Sequence, residues 1–412
     1  MATRTPTASG LQPMQADWHA VRSQFPALSD RVFLDAACVS LLPLGAGMAV
    51  KRFCDELMQP GARDATAHHI WMDEQKASAV PQVATLLGVD QRRVALVEST
   101  SHGLNIAAQS IPWAAGDEVL LCDLEFLQVA IPFVKLATTR GVRPVFLSHR
   151  GGVVDAAVAA AITPRTRAVV VSSTQWSNGY RVNLAAIADA CRRVGAWLVV
   201  DAVQQAGAVP VETEGVDFLM AGGHKWLNAP MGTGFLCLSD RVLETLEPAS
   251  WGYLTLEAPA GGWGNYFTTP SITPDRRYDF VRTAQRFEIG GTANYPGAIA
   301  LAKSLELVNS VGIRRAGEHV WELGERLIEG LRALDVGLET RFGRENRAGI
   351  ISFSCGGRER DSACVDFLLA RKVYVGQRYT SGTGGVRASV HYFNDASDID
   401  QLLAAVGDFL AR

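Results

Sequence analysis

"RAVVVSSTQWSNGYRVNLAAIADACRRVGAWLVVDA", residues 167–202, holds two short apolar runs with a longer mixed stretch between them. "RAVVVSS" (167–173) and "AWLVVDA" (196–202) read as buried strands, and "NLAAIADACRRVG" (183–195) reads as a helix. The alternation continues in both directions. Upstream, "RVALVE" (93–98), "EVLLCD" (118–123) and "RPVFLS" (143–148) are strands. Each is followed by a helical stretch: "HGLNIAAQSI" (102–111), "LQVAIPFVKLATTRG" (127–141) and "DAAVAAAI" (155–162). Downstream, "DFLMAG" (217–222) and "GFLCLS" (234–239) complete seven strands. Wholly apolar strands alternating with helices predict an α/β fold, a mainly parallel seven-stranded sheet between helices. Ligands of such folds bind at the carboxyl ends of the strands. The polar residues gather there, at Glu98–Asn105, Glu125–Gln128, Thr174–Asn178, Asp201–Gln204 and His224–Lys225.

The 412 residues are 48% hydrophobic and 20% charged, the composition of a soluble globular protein with a large core. A net charge of -3 and the lack of any Lys/Arg-rich block argue against a nucleic-acid binder driven by bulk charge. Seven dispersed cysteines without a CxxC suggest reduced thiols in a cytoplasmic protein, not a disulfide frame or a metal site. "MATRTPTASGLQPMQ" lacks the apolar core of a signal peptide. No apolar run approaches the roughly 18 residues of a membrane span.

Residues 250–292 break the rhythm with glycine, proline and aromatics. A stretch this long is either a binding loop or an irregular piece of core. "PGAIALAKSLELVNSVG" (296–312) and "RRAGEHVWELGERLIEGLRAL" (314–334) have amphipathic helical spacing. The expected division is a large domain over 91–295, then a linking helix and a smaller α+β domain over 296–412. The N-terminal segment 15–90 is expected to pack with the smaller domain.

Lys225, in "AGGHKWLNAP" (221–230), ends a buried strand in a glycine-rich turn. It is either a solvated lysine just past the strand or an amine kept for a task. Desolvation lowers a lysine's pKa, and a neutral amine condenses with an aldehyde. Asp201 either caps a helix or, 24 residues before Lys225, pairs with a protonated pyridinium nitrogen. Gln204 is near enough in sequence to contact the same ring's phenolic oxygen. In "ESTSHGLN" (98–105), Thr100 and Ser101 stand at a helix start, where free N–H groups and the dipole suit a phosphate. Together they point to a phosphorylated aromatic aldehyde, pyridoxal 5'-phosphate.

With these motifs in place, the sequence resembles the class V group of fold-type I pyridoxal-phosphate enzymes. That group includes cysteine desulfurases, selenocysteine lyases, isopenicillin N epimerases, kynureninases and the ergothioneine-pathway C–S lyase. The likeness runs from "RVFLDAACVSLLP" (31–43) through "TSHGLN", "VVDAVQQAG", "GGHKW" and "FEIGGTANYPG" to "GVRASVHYFND" (385–395). It implies that Lys225 forms the internal aldimine and then moves protons. Asp201 would pair with the pyridine nitrogen, and Gln204 would lie by the ring hydroxyl. Thr100, Ser101 and His224 would bind the phosphate, and Phe126 would stack on the ring. Arg387 would grip the substrate carboxylate as a bidentate fork. Thr292 would reach the phosphate of the other subunit, so a homodimer with shared active sites is implied.

The departures narrow the reaction. Desulfurases carry a nucleophilic cysteine shortly before the "RAS" arginine, where this chain has "GQRYTSGTGG" (376–385). Phe126 replaces their proton-transferring histidine, and Gly222 replaces a phosphate-binding serine. In "STQWSNGYR" (173–181), Gln175 is the candidate for the ring hydroxyl, with Asn178 second. Cys38 is either small core filler or part of the pocket wall. His68, His69 and Trp71 fall in a segment that approaches the substrate in relatives, and His102 is placed at the cofactor's edge. The expected reaction is β-elimination from an amino acid through an external aldimine and a Cα carbanion, breaking a C–S bond. An epimerase, an aminotransferase, or a desulfurase working through another thiol such as Cys38 are the alternatives. A regulator on this fold would add a basic helix-turn-helix, absent from the first 90 residues. A nucleotide-binding Rossmann protein would need a GxGxxG, which "STSHGLN" lacks.

Overall fold

The computed structural model describes residues 17–149, 155–291 and 293–412. Seven strands build the central sheet: β1 (Val94–Val97), β2 (Glu118–Cys122), β3 (Arg143–Leu147), β4 (Thr166–Ser172), β5 (Trp197–Asp201), β6 (Phe218–Gly222) and β7 (Gly234–Leu238). Their order across the sheet is β1-β7-β6-β5-β4-β2-β3. The β6-β5-β4-β2-β3 ladder is parallel throughout, and β7 runs antiparallel to both β6 and β1. The reversal has a local cause. Parallel neighbours need a long crossover, whereas β6 passes to β7 through the short turn that carries Lys225.

Alternation along each strand sends neighbouring side chains into two separate cores. Val169, Val171, Leu198 and Val200 face one core, and Val170, Val199, Phe218 and Met220 face the other. Both faces are covered, so β5, β6 and β7 are buried at every residue. The edge strand β3 is different. Pro144 sits in it and Phe146 is 52% exposed, as an edge permits.

A second, antiparallel sheet joins Gly337–Leu338, Ile350–Ser354, Gly376–Thr380 and Thr383–Ser389. The N-terminal stretch reaches it directly. Val32–Phe33 pairs in parallel with Val373–Tyr374, and Asp35 bridges to Ser389. Helices Leu44–Met58, Ala65–Ala77 and Ala79–Leu87 instead pack on the helix Tyr295–Val311. Residues 250–292 are not bare loop. They form the helix Gly262–Thr268 and two 3-10 turns, and Ala284 and Phe287 enter the core. Among the described residues, no helix is long and apolar enough to cross a membrane.

Candidate active site

The parallel register brings the carboxyl ends of β4, β5 and β6 side by side. Ser172 is laddered to Asp201, and Asp201 to Met220. Lys225 follows β6 in a turn closed by Gly223 N–H to Thr233 O (2.7 Å) and Ala229 N–H to Gly223 O (2.9 Å). Gly207 makes this turn possible. Its φ is +97°, and a Cβ there would stand 2.2 Å from the Trp226 carbonyl oxygen.

Burial pulls the Lys225 ammonium down to about 8, against the opposing pull of the Asp201 carboxylate. Burial likewise pushes Asp201 up to about 6, opposed by the Val203 N–H, which it accepts at 2.9 Å, and by the Lys225 charge. The Lys225 Nζ lies 5.9 Å from the centroid of the Phe126 ring. Phe126 is 42% exposed and braced edge-on by Trp176 at 5.4 Å.

The helix Thr100–Ser110 begins beside this turn. Its cap is Ser99, whose hydroxyl accepts the His102 N–H at 3.1 Å, so Thr100 and Ser101 are free of capping duty. Thr100 Oγ1 accepts the Gly222 N–H at 2.8 Å, which leaves its own O–H to donate elsewhere. A Cβ on Gly222 would sit 3.3 Å from both Thr100 Oγ1 and His224 Nδ1. Glycine here keeps the cradle between those two groups open. His224 is held below the usual imidazole range by burial first and by Lys225 second. Burial also lowers His102.

Arg387, whose charge acts on Lys225, is fully buried. It donates to Trp176 O at 3.0 Å and pairs with Asp35 at 3.3 Å. Burial lowers the pKa of Arg387 and raises that of Asp35, and in each the partner's charge opposes the shift. Asp35→Asn should therefore leave a buried guanidinium without its counter-charge. Burial nevertheless outweighs that pairing in Asp35, so its ionised form is a net cost to the fold, and the variant should melt no lower than the unaltered protein at pH 7.

The sequence profile of the aminotransferase class-V family matches residues 32–402. The chain belongs to the aminotransferase class-V family. A probable cysteine desulfurase of Methanothermobacter thermautotrophicus is 30% identical over 400 residues, covering 93% of this chain and 95% of that protein. The isopenicillin N epimerase of Streptomyces clavuligerus is 30% identical over 239 residues, 56% of this chain and 58% of that protein. A solved complex of a cystine C–S lyase with its product cysteine persulfide has a TM-score of 0.81 at 25% identity, covering 93% of this chain and 99% of that one. The cysteine desulfurase of Thermococcus onnurineus shares the fold, with a TM-score of 0.81, 24% identity and 98% and 100% of the two chains covered.

Pyridoxal 5'-phosphate is the cofactor of this class-V fold, and the residues present fit it. A depressed amine, a buried carboxylate and an aromatic face meet at Lys225, and a helix start with two hydroxyls adjoins the same turn. Gln175 adds a specific sign. Its Nε2 donates to Glu125 at 2.9 Å, while its Oε1 is buried with no partner.

Other expected residues fall differently. Gln204 already has one partner on each side of its amide. Its Nε2 donates to Ala37 O at 3.1 Å and its Oε1 accepts from Trp226 at 2.9 Å, which braces the lysine turn and leaves one Nε2 N–H for a ring hydroxyl. Asn178 accepts the Tyr180 N–H at 3.0 Å through its Oδ1. His69 does not join the cluster. Its helix packs on Tyr295–Val311, and it lines a groove with Asp73, Tyr253, Trp263 and Phe267. His68 stacks against Trp71 at 5.9 Å. Thr292 lies outside the described residues. Cys38 is no mere filler, because its Sγ accepts from Arg378 at 3.3 Å.

Several residues to which the motifs assigned no role prove central. Glu125 is buried, accepts the Ser172 N–H at 2.9 Å, bonds the Ser172 hydroxyl and holds Gln175. Burial pushes its carboxyl to about 7 despite these donors, and Asp201 adds to the rise. Its signal was its place directly before Phe126 at a strand end. Arg378 sits in the stretch whose one sequence signal was a missing cysteine. Asp35 and Trp176 carry no signal in the sequence, since each acts through a partner distant in the chain.

Proposed function

We propose that this protein cleaves the Cβ–S bond of a sulfur-containing amino acid by β-elimination, releasing the sulfur fragment instead of passing it to a protein thiol. The observation that carries this reading is the strand Gly376–Thr380. It delivers Arg378, not a cysteine, to the group of charges around Lys225. When bound, the cofactor supplies an electron sink for the substrate's Cα electrons. The protein's own residues do the rest. Arg387 holds the α-carboxylate, and Phe126 covers one face of the ring. Asp201, ionised above about pH 6, keeps a proton on the ring nitrogen. Lys225 Nζ takes the Cα proton, and burial leaves its amine partly neutral near pH 8. The Cβ–S bond then breaks with its electron pair on sulfur, and hydrolysis yields a 2-oxo acid and ammonia. A homodimer sharing its sites belongs to the same proposal.

A second reading rests on Cys38, the thiol brought to Lys225 and Arg378. The cofactor-loaded enzyme, given L-cysteine, L-cystine and S-conjugates, should form 2-oxo acid and ammonia in equal amounts without a persulfide on the protein. Cys38→Ala should keep at least half of that rate. Sulfur retained on the protein, with alanine as product and loss in Cys38→Ala, would establish a desulfurase. Racemised substrate without 2-oxo acid would establish an epimerase.

A further inference from the structure

The Lys225 cleft holds more positive charge than one amino-acid carboxylate needs. Lys225, Arg378 and Arg387 face Asp35 and Asp201, and each of the three cations acts on at least one of the others. Arg387 already has its counter-charge in Asp35, and the Trp176 carbonyl fixes its direction. Arg378 is the surplus. Its Nη1 donates to the carbonyl of its own neighbour Gln377 at 2.7 Å, and its Nη2 to the Cys38 sulfur at 3.3 Å. Among the described residues, no carboxylate lies within the 4 Å of a salt bridge to it, although it is half-buried. A guanidinium carries five N–H donors in a rigid fork suited to oxyanions, and one carbonyl and one thiol leave most of that fork unused.

The placement is built, not incidental. Gly376 runs between the Asp35 carboxylate and the Arg378 guanidinium. A Cβ there would crowd Asp35 Oδ1 at 3.1 Å and lie in ordinary contact with Arg378 Cζ at 3.7 Å. Gly376 is itself laddered to Arg387, so the two arginines sit on adjacent strands of one hairpin. The hairpin tip is fastened to the large sheet. Ser381 Oγ donates to Asp123 O at 2.7 Å, and Thr383 Oγ1 bonds His149 at 3.0 Å. An arginine that served only the surface would find solvent or a carboxylate. This one is held against two like charges, an arrangement stabilised when an anion arrives.

We propose that Arg378 is a second oxyanion receptor in the cleft, and that the substrate is an amino acid whose side chain carries an acid group. The proposal rests on the reading of Lys225 and Arg387 as the cofactor and α-carboxylate sites, but not on elimination as the outcome. The test therefore uses amino acids with no sulfur leaving group. The cofactor-loaded protein is titrated with L-aspartate and L-asparagine, and with L-glutamate and L-glutamine, following its visible absorption band. At least one acid should saturate the change at about tenfold lower concentration than its isosteric amide, the size of one charge-assisted contact. Arg378→Gln should erase that ratio while the amides bind as before, and Arg378→Lys should restore part of it. Equal affinities within both pairs in the unaltered protein would overturn the proposal, whatever the variants do. So would an Arg378→Gln variant that weakens acid and amide alike, which would make Arg378 the α-carboxylate receptor. A band that responds to none of the four would also overturn the proposal, and would leave the cofactor reading standing because the band itself reports the bound cofactor.

Discussion

Lys225→Ala is expected to lose turnover by a factor on the order of 10⁴, the upper range for a positioned acid–base group. The visible band of the loaded protein should disappear in the absence of amino acid. The fold should survive, for an electrostatic reason. In the cofactor-free protein, burial lowers the Lys225 ammonium from its ordinary value to about 8. The folded state therefore binds that proton more weakly than the unfolded chain does. Below pH 8 the buried charge is a full penalty to folding, and the penalty fades as pH rises from 8 toward the unfolded value. Alanine removes it, which is worth on the order of 1–3 kcal/mol at neutral pH after the lost packing of the lysine methylenes. Thermal melts of the cofactor-free variant at pH 7 should show a midpoint no lower than that of the unaltered protein. An unchanged visible spectrum would sink the assignment of Lys225, and a collapsed fold would show that the lysine serves structure.

How far the sequence could carry these conclusions depended on whether a residue acts locally or through a distant partner. The sheet was legible because β4, β5 and β6 are covered on both faces, and burial writes itself as unbroken apolar runs. The reversal of β7 was not, since an apolar run has the same appearance in either direction. Lys225 and Asp201 were legible because a charge at the end of such a run is conspicuous. Gln204 shows the limit. Its spacing from Asp201 suggested a ring contact, but nothing in that spacing foretold its bonds to Ala37, 167 positions away, and to the Trp226 indole. Arg378 was hidden in the same way. Its meaning comes from Cys38 and Asp35, brought to it by the pairing of Val32–Phe33 with Val373–Tyr374.

Asp201→Asn should separate stability from activity most sharply. The carboxylate lies at the end of β5, almost wholly buried, with its pKa raised to about 6. Because the folded value exceeds the unfolded one, the penalty is absent below about pH 4, grows between pH 4 and 6, and is complete above pH 6. Its full size is on the order of 3 kcal/mol. Asparagine keeps an oxygen for the Val203 N–H and carries no charge, so the cofactor-free variant should be the more stable protein at pH 7. At pH 4 the two should melt alike. Activity should move the other way. The loaded variant cannot hold a proton on the ring nitrogen by charge, and kcat should fall by on the order of 10²–10³. Lys225 offers a third readout, because the Asp201 charge is what raises its pKa against burial. In the variant the amine should titrate below about 8, so the pH profile for cofactor loading should shift to lower pH. A variant that loses activity with no change in that profile or in the pH dependence of its melting would place Asp201 outside the charge network of Lys225.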